Sequence, residues 1–89
     1  ARREAVERAA GAETAAADAR NTRAQQAVQA YRDGVRELAR RNLDVVRQTF
    51  DLGRATVFEV LAEQKRWLEV EQGYTEALRE AWEARVALT

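Results

Sequence analysis

Two pairs of carboxylates are the residues in this sequence that come nearest to a chemical site. Glu59 and Glu63 are four residues apart, and so are Glu76 and Glu80, a spacing that places each pair on one face of a helix. Paired carboxylates can serve acid–base chemistry. Arginines follow each pair closely in the sequence: Arg66, Arg79 and Arg85. Neutralised charges of this kind are typical of a solvated helix face, so we expect a structural role for them.

Other chemical groups are scarce. The chain has no His and no Cys, which excludes the common zinc, copper and haem ligand sets as well as thiol chemistry. Glycine-rich phosphate loops and nucleophile motifs are also missing. The aromatic residues Trp67, Tyr74 and Trp82 have near-heptad spacing, which is typical of packing in a core or between copies rather than of a cofactor site. We therefore expect no enzyme, no catalytic or metal-binding residue and no cofactor.

Composition restricts the fold class to long helices. The 89 residues are 46% hydrophobic and 34% charged, with 15 basic and 15 acidic side chains and a formal net charge of zero. Dominance of Ala, Arg, Glu, Leu and Val predicts one all-α domain of long-helix or coiled-coil type. The balanced charge gives no footprint for nucleic acid or an anionic membrane. No run of eighteen apolar residues is present, so we expect no membrane contact.

The clearest local signal is a helix end followed at once by a helix start. Gly53 can adopt the left-handed conformation that terminates a helix. Thr56 and Glu59 match the Thr-x-x-Glu capping box, in which each residue's side chain accepts a hydrogen bond from the other's backbone N–H. So short a connection predicts two antiparallel helices. We assign residues 1–52 to a long helix, 53–56 to the turn at the tip, and 57–89 to the return helix.

Apolar residues recur at helical spacing on both sides of this turn. The first helix carries one stripe: Val28, Tyr31, Val35, Leu38, Ala39, Leu43, Val46 and Phe50. The return helix carries two. The first of these is Val57, Leu61, Gln64, Leu68, Thr75, Leu78, Trp82 and Val86; the second is Val60, Trp67, Val70, Tyr74, Ala77, Ala81, Ala84 and Leu88. A two-helix seam needs only one of the two, so the surplus predicts a further packing partner.

Two ways of covering the surplus remain open. Other copies of the chain can pack on it, with Trp67, Tyr74 and Trp82 in the contact. Alternatively, the alanine-rich residues 1–30 fold back near Arg20–Thr22 and make a compact three-helix bundle. Gly34 lies inside the first helix. We expect close packing there rather than a break, because the apolar pattern passes through Gly34 without a change of phase.

Residues 31–89 carry a family resemblance. The stretch "TFDLGRATVFEVLAEQ" combines an aromatic residue, Leu-Gly, a small polar turn and an apolar helix start, and "YTEALREAWEARVAL" follows it. This pattern resembles the C-terminal half of outer membrane efflux proteins of the TolC family, in the style of its CzcC-like and CusC-like members. Residues 1–30 resemble the preceding part of the long helix more loosely.

The resemblance implies a function that composition alone does not reach. Family members are trimers whose periplasmic tunnel is built of helical hairpins, and each hairpin tip meets a periplasmic adaptor protein that couples the tunnel to an inner-membrane pump. The implied docking residues here are those of the tip: Phe50, Leu52, Gly53, Arg54, Ala55 and Thr56. Phe50 stands near a family tyrosine without its hydroxyl, and Arg54 lies one residue from a family arginine, so the resemblance extends to docking rather than to gating.

The resemblance also implies that this chain is a periplasmic fragment. The first repeat and the membrane-embedded part of the family have no counterpart in these 89 residues. The exported substrate is not encoded in a hairpin tip. An alternative function of another class is a coiled-coil scaffold or interaction module with no channel role, which the gene sequence upstream would distinguish from a channel.

Overall fold

The fold is a long helical hairpin. The structure is a computed structural model that describes residues 2–88. Its elements are α1 (Arg2–Ala30), a π-helical turn (Tyr31–Val35), α2 (Arg36–Asp51) and α3 (Val57–Leu88). Helices α1 and α2 form one arm and pack along α3, and no strand occurs within residues 2–88. The predicted all-α class is confirmed.

The hairpin is extended rather than folded back. It measures 75 × 20 × 15 Å, and α1 continues without interruption through Arg20–Thr22. The alternative of a three-helix bundle is therefore wrong for this chain. Residues 2–16 are exposed throughout. None of the helices described is long and apolar enough to cross a membrane.

A kink separates the two helices of the first arm. Gly34 has φ 165° and ψ −15°, outside the helical region, and the backbone N–H of Arg36 donates to the carbonyl of Tyr31, five residues earlier. This i→i+5 bond is the hallmark of a π-helical turn. The expectation of close packing at Gly34 is wrong, since a Cβ built there has no atom within 4 Å. The glycine bends the arm at a π-bulge, a common cause of kinks.

Close packing occurs instead at Gly73, on α3 opposite the kink. A Cβ at Gly73 would collide with the Tyr31 hydroxyl and lie 3.2 Å from Tyr31 Cζ. The missing side chain therefore makes the space in which Tyr31 sits. Tyr31 also packs against Tyr74, with ring centroids 5.9 Å apart. The packing of the Tyr31 ring on Gly73 thus holds the kinked arm close to α3.

The seam between the arms is made mostly of small residues. Between α1 and α3 the buried side chains are Ala24, Val28, Ala77, Ala81 and Ala84. In α2 the buried residues are Ala39 and Leu43. Alanines let two helix backbones approach closely but contribute little apolar area each. The stability of the hairpin therefore depends strongly on its few larger buried side chains.

Candidate functional site

The C-terminal end of α2 is closed by backbone hydrogen bonds that depend on Gly53. The Gly53 N–H donates to the Phe50 carbonyl at 2.8 Å, and the Arg54 N–H donates to the Thr49 carbonyl at 3.0 Å. This pair of bonds is the Schellman motif, which needs a left-handed residue just past the helix cap. Gly53 supplies it with φ 74°. A side chain at this position would strain the backbone.

The N-terminal end of α3 is closed by side chains. The Thr56 N–H donates to Glu59 Oε2 at 2.8 Å, and the Glu59 N–H donates to Thr56 Oγ1 at 3.2 Å. Both hydrogen bonds of the capping box are thus present. The Glu59 N–H also donates to the Thr56 carbonyl at 3.1 Å. The two helix ends leave residues 52–56 as a tight, ordered turn.

The turn presents apolar side chains to solvent. Leu52 is 74% exposed and Phe58, in the first turn of α3, is 78% exposed. Arg54 is also exposed, whereas Ala55 is half-buried. Phe58 was not among the predicted tip residues. The signal that could have identified it is its position, since it belongs to neither stripe of α3 and therefore has no place in a seam.

The three aromatic residues predicted to act together are separated in the structure. Trp67 and Tyr74 are half-buried on the second stripe of α3, which faces the seam and which we name the seam stripe. Trp82 is 67% exposed on the first stripe of α3, which we name the outer stripe. Trp67 and Tyr74 are seven residues apart and share a face, whereas Trp82 is eight residues beyond Tyr74 and lies on another face. Packing of these residues between copies stays a prediction. Ala81, which completes the heptad, is the buried residue at that level.

Two apolar stripes remain exposed outside the seam. On α3 the outer stripe includes Leu61, Leu68, Leu78 and Trp82, all exposed. On the first arm, Leu38 and Val45 of α2 and Leu52 just past its end are exposed and recur every seven residues. Leu38 was predicted to share the packing stripe of the first helix, and this is wrong, because it lies one residue before the buried Ala39 and faces outward.

The two exposed stripes lie on opposite sides of the hairpin. One groove along the seam is lined by Val45 of α2 together with Glu59 and Ala62 of α3. The groove on the other side, between α1 and α3, is lined by Leu78 and Trp82. A hairpin with an apolar stripe on each side can contact two neighbours at once.

Polar side chains tie the two arms together at the kink. Arg36 donates to both carboxylate oxygens of Glu71, from Nε at 2.8 Å and from Nη2 at 2.9 Å. Its guanidinium carbon lies 4.3 Å from the centroid of the Tyr74 ring. Arg32 Nε donates to the Tyr74 hydroxyl at 3.1 Å. A bidentate pair stacked on an aromatic ring fixes the side chains in one geometry.

A second ion pair lies nearer the open end of the hairpin. Arg20 Nε donates to Glu80 Oε1 at 2.6 Å. The other acidic residues singled out by their spacing are also engaged: Glu63 with Arg66 and Glu76 with Arg79. Residues 2–88 hold no group of three or more acidic side chains placed to bind a metal ion. The carboxylates of α3 thus act as caps and ion-pair partners.

The ion pairs between the arms predict acid-sensitive stability. Hydrogen bonds from Arg36 lower the pKa of the Glu71 carboxyl below its ordinary value of 4.5, and Arg20 does the same to the pKa of Glu80. A lowered pKa in the folded state stabilises the hairpin fully above pH 4.5, and the contribution is lost as pH falls through the lower folded value. We expect urea unfolding midpoints to be level from pH 7 to 5 and to fall below pH 4.5.

A matched pair of variants tests which carboxyl group causes the loss of stability at low pH. Glu71→Gln should flatten part of the fall, because it removes a carboxyl that loses its proton more readily in the folded state. Glu13→Gln on the exposed part of α1 should leave the curve as in the wild type. Equal curves for Glu71→Gln and the wild type would show that the Arg36–Glu71 pair does not control the pH dependence.

Compared with known proteins, the chain matches no family model, no curated protein and no solved structure. The function is therefore inferred from the geometry of the tip, of the two exposed stripes and of the polar contacts between Arg36 and Glu71.

Proposed function

We propose that this hairpin is a periplasmic segment of a trimeric outer membrane efflux channel of the TolC type, and that its tip docks a periplasmic adaptor protein of a tripartite pump. The observation that carries the proposal is the tip itself. A tight turn at the end of a 75 Å rod exposes Leu52 and Phe58. Large apolar side chains held on an ordered turn are costly to leave wet and suit a protein partner.

The length and the side faces of the rod support assembly into a tunnel wall. Apolar stripes on opposite sides of the hairpin allow each copy to contact two neighbours, which is what closed rings of helices require. In this proposal the outer stripe of α3 packs against another part of the trimer. Trp82 is the most exposed of the large apolar side chains in that stripe. Burial of each large apolar side chain there contributes roughly 1.5–3 kcal/mol.

A coiled-coil scaffold is the second candidate, and the outer stripe is the observation that favours it. Leu61, Leu68 and Trp82 keep near-heptad spacing on an exposed face, which is a coiled-coil pattern. In a scaffold the stripe would bind a second helix and the tip would have no partner. The two candidates therefore differ in whether the tip is in contact with another protein.

Site-specific photo-crosslinking in a Gram-negative host distinguishes the two candidates. A photoreactive residue replaces Phe58 at the tip in one variant and Trp82 on the outer stripe in another, in the full-length protein. We expect the Phe58 probe to capture an adaptor and the Trp82 probe to capture another copy of the chain. Gln72, exposed and polar on α3, is the matched control position and should capture neither.

The crosslinks formed by the probe at Phe58 distinguish the channel from the scaffold. Capture of an adaptor at the tip supports the channel function. Crosslinks between copies at Trp82 with none at Phe58 would support the scaffold and reject docking through the tip.

A further inference from the structure

A cleft beside the kink combines three arginines with two aromatic rings. It has a volume of about 360 Å³ and lies between the first arm and α3. Arg32, Arg36 and Arg40 line it from the first arm, together with Tyr31, and Trp67 and Glu71 line it from α3. This volume falls within the range of small-molecule sites.

The positive charge of the cleft is only partly neutralised. Glu71 is fully engaged by the bidentate contact with Arg36, which uses Nε and Nη2 of that guanidinium. Arg32 uses Nε for the Tyr74 hydroxyl, a neutral acceptor. Within residues 2–88 no carboxylate lies within ion-pair distance of Arg32 or Arg40. The lining carries three arginines and two glutamates, so the cleft has an excess of one positive charge.

Glu37 also lines the cleft but its carboxylate is held elsewhere. Its Oε1 accepts a hydrogen bond from Arg41 Nη2 at 3.0 Å, one turn further along α2. This pairing leaves the excess positive charge of the cleft in place. Arginine is the side chain best suited to bind anions, because its planar fork presents several donors to carboxylate, sulfonate or phosphate oxygens.

Part of the cleft is fixed in advance of any ligand. The π-helical turn holds Tyr31 and Arg32 in place through the Arg36 N–H bond to the Tyr31 carbonyl. Arg36 is fixed between Glu71 and the Tyr74 ring. π-Bulges occur frequently at functional sites. The ordering of these three residues before binding lowers the entropic cost of binding a ligand.

We propose that this cleft binds a small organic anion with a flat apolar body, of the aryl carboxylate or aryl sulfonate class. The anionic group binds Arg32 and Arg40, and the ring packs against Trp67 and Tyr31, both half-buried. Stacking of the ring on an arginine guanidinium adds to the contact. The site is independent of the tip and of what the hairpin docks.

Naphthalene-1-sulfonate is the probe, and tryptophan fluorescence is the readout. The chain has two tryptophans, so a Trp82→Phe background makes Trp67 the reporter. We expect a saturable change in Trp67 fluorescence with the sulfonate and none with neutral 1-naphthalenemethanol at the same concentrations. Raising the salt concentration should weaken binding, because the attraction is between charges.

Two arginine variants in that background assign the signal to the cleft. Arg40→Gln should weaken the affinity about tenfold, since it removes a charge-assisted contact. Arg47→Gln, on the same helix but outside the cleft, should leave the affinity unchanged. Circular dichroism checks that both variants remain folded. Equal binding of the neutral analogue, or equal affinity in the two arginine variants, would overturn the proposal.

Discussion

Replacing Leu43 with alanine is expected to lower the free energy of unfolding by about 2–3 kcal/mol. Leu43 is 4% exposed and is the larger of the two buried side chains of α2, the other being Ala39. A cavity in a two-layer seam has few neighbours that can move in to fill it. Because small domains have only about 5–15 kcal/mol of stability, the loss should be evident in urea unfolding.

Leu38→Ala is the matched control for this prediction. The substitution is chemically identical and is on the same helix, but Leu38 is 58% exposed. It should change the unfolding free energy by no more than about 0.5 kcal/mol. Both variants should keep the wild-type slope of unfolding free energy against urea, as expected when only stability changes. A loss from Leu38→Ala as large as that from Leu43→Ala would mean that the seam runs along a different face of α2.

The turn was predictable because its signals are local. Gly53 at the helix end and the Thr56–Glu59 box both act through hydrogen bonds to residues at most five positions away. The structure ends α2 at Asp51 and begins α3 at Val57, within one residue of the predicted limits. Hydrogen bonds of such short range depend little on how the rest of the chain packs.

The kink and the buried face of α3 were not predictable in the same way. The π-helical turn accompanies the fit of Tyr31 over Gly73, two residues that are 42 positions apart. Likewise α3 has two apolar stripes, and the sequence of α3 alone does not say which one faces inward. The seam stripe ends in Ala77, Ala81 and Ala84, which pack closely against Ala24 of α1. This close packing of small residues depends on how the two arms pair, so the sequence of one helix does not reveal it.

The sequence of α3 alone likewise did not show that Trp82 lies apart from Trp67 and Tyr74. Near-heptad spacing placed Trp67, Tyr74 and Trp82 in one group, but a single extra residue between Tyr74 and Trp82 turns the last side chain out of the seam. The difference between seven and eight residues is about a quarter of a helical turn. Over the eight residues from Tyr74 to Trp82, about two turns of helix, this shift decides between a packed ring and an exposed one.

Replacing Gly53 with valine is expected to cost stability and docking together. Gly53 has φ 74°, which a β-branched residue adopts only at a cost of about 1–2 kcal/mol. No atom lies within 4 Å of the place where its Cβ would be, so the strain comes from the backbone alone. The same open space means that the new side chain projects into whatever packs on the turn. Urea unfolding of the chain measures the first effect.

Gly11→Val is the matched glycine control. Gly11 lies in α1, a Cβ there meets no atom within 4 Å, and its backbone needs no left-handed conformation. This change should alter stability only by the small difference in helix propensity between the two residues, on the order of 0.5 kcal/mol. It lies far from the tip and should leave docking unchanged.

Arg54→Glu separates docking from stability at the same turn. Arg54 is exposed, so reversing its charge should change the unfolding free energy by only about 0.5 kcal/mol. An adaptor that packs on the turn meets this side chain beside Leu52, and charge reversal should weaken the contact. Both tip variants go into the full-length protein, where adaptor binding and efflux-dependent resistance are measured together with helix content. If Gly53→Val and Arg54→Glu both keep wild-type binding and resistance, the turn only reverses the chain, and the partner of this hairpin must bind its exposed stripes instead.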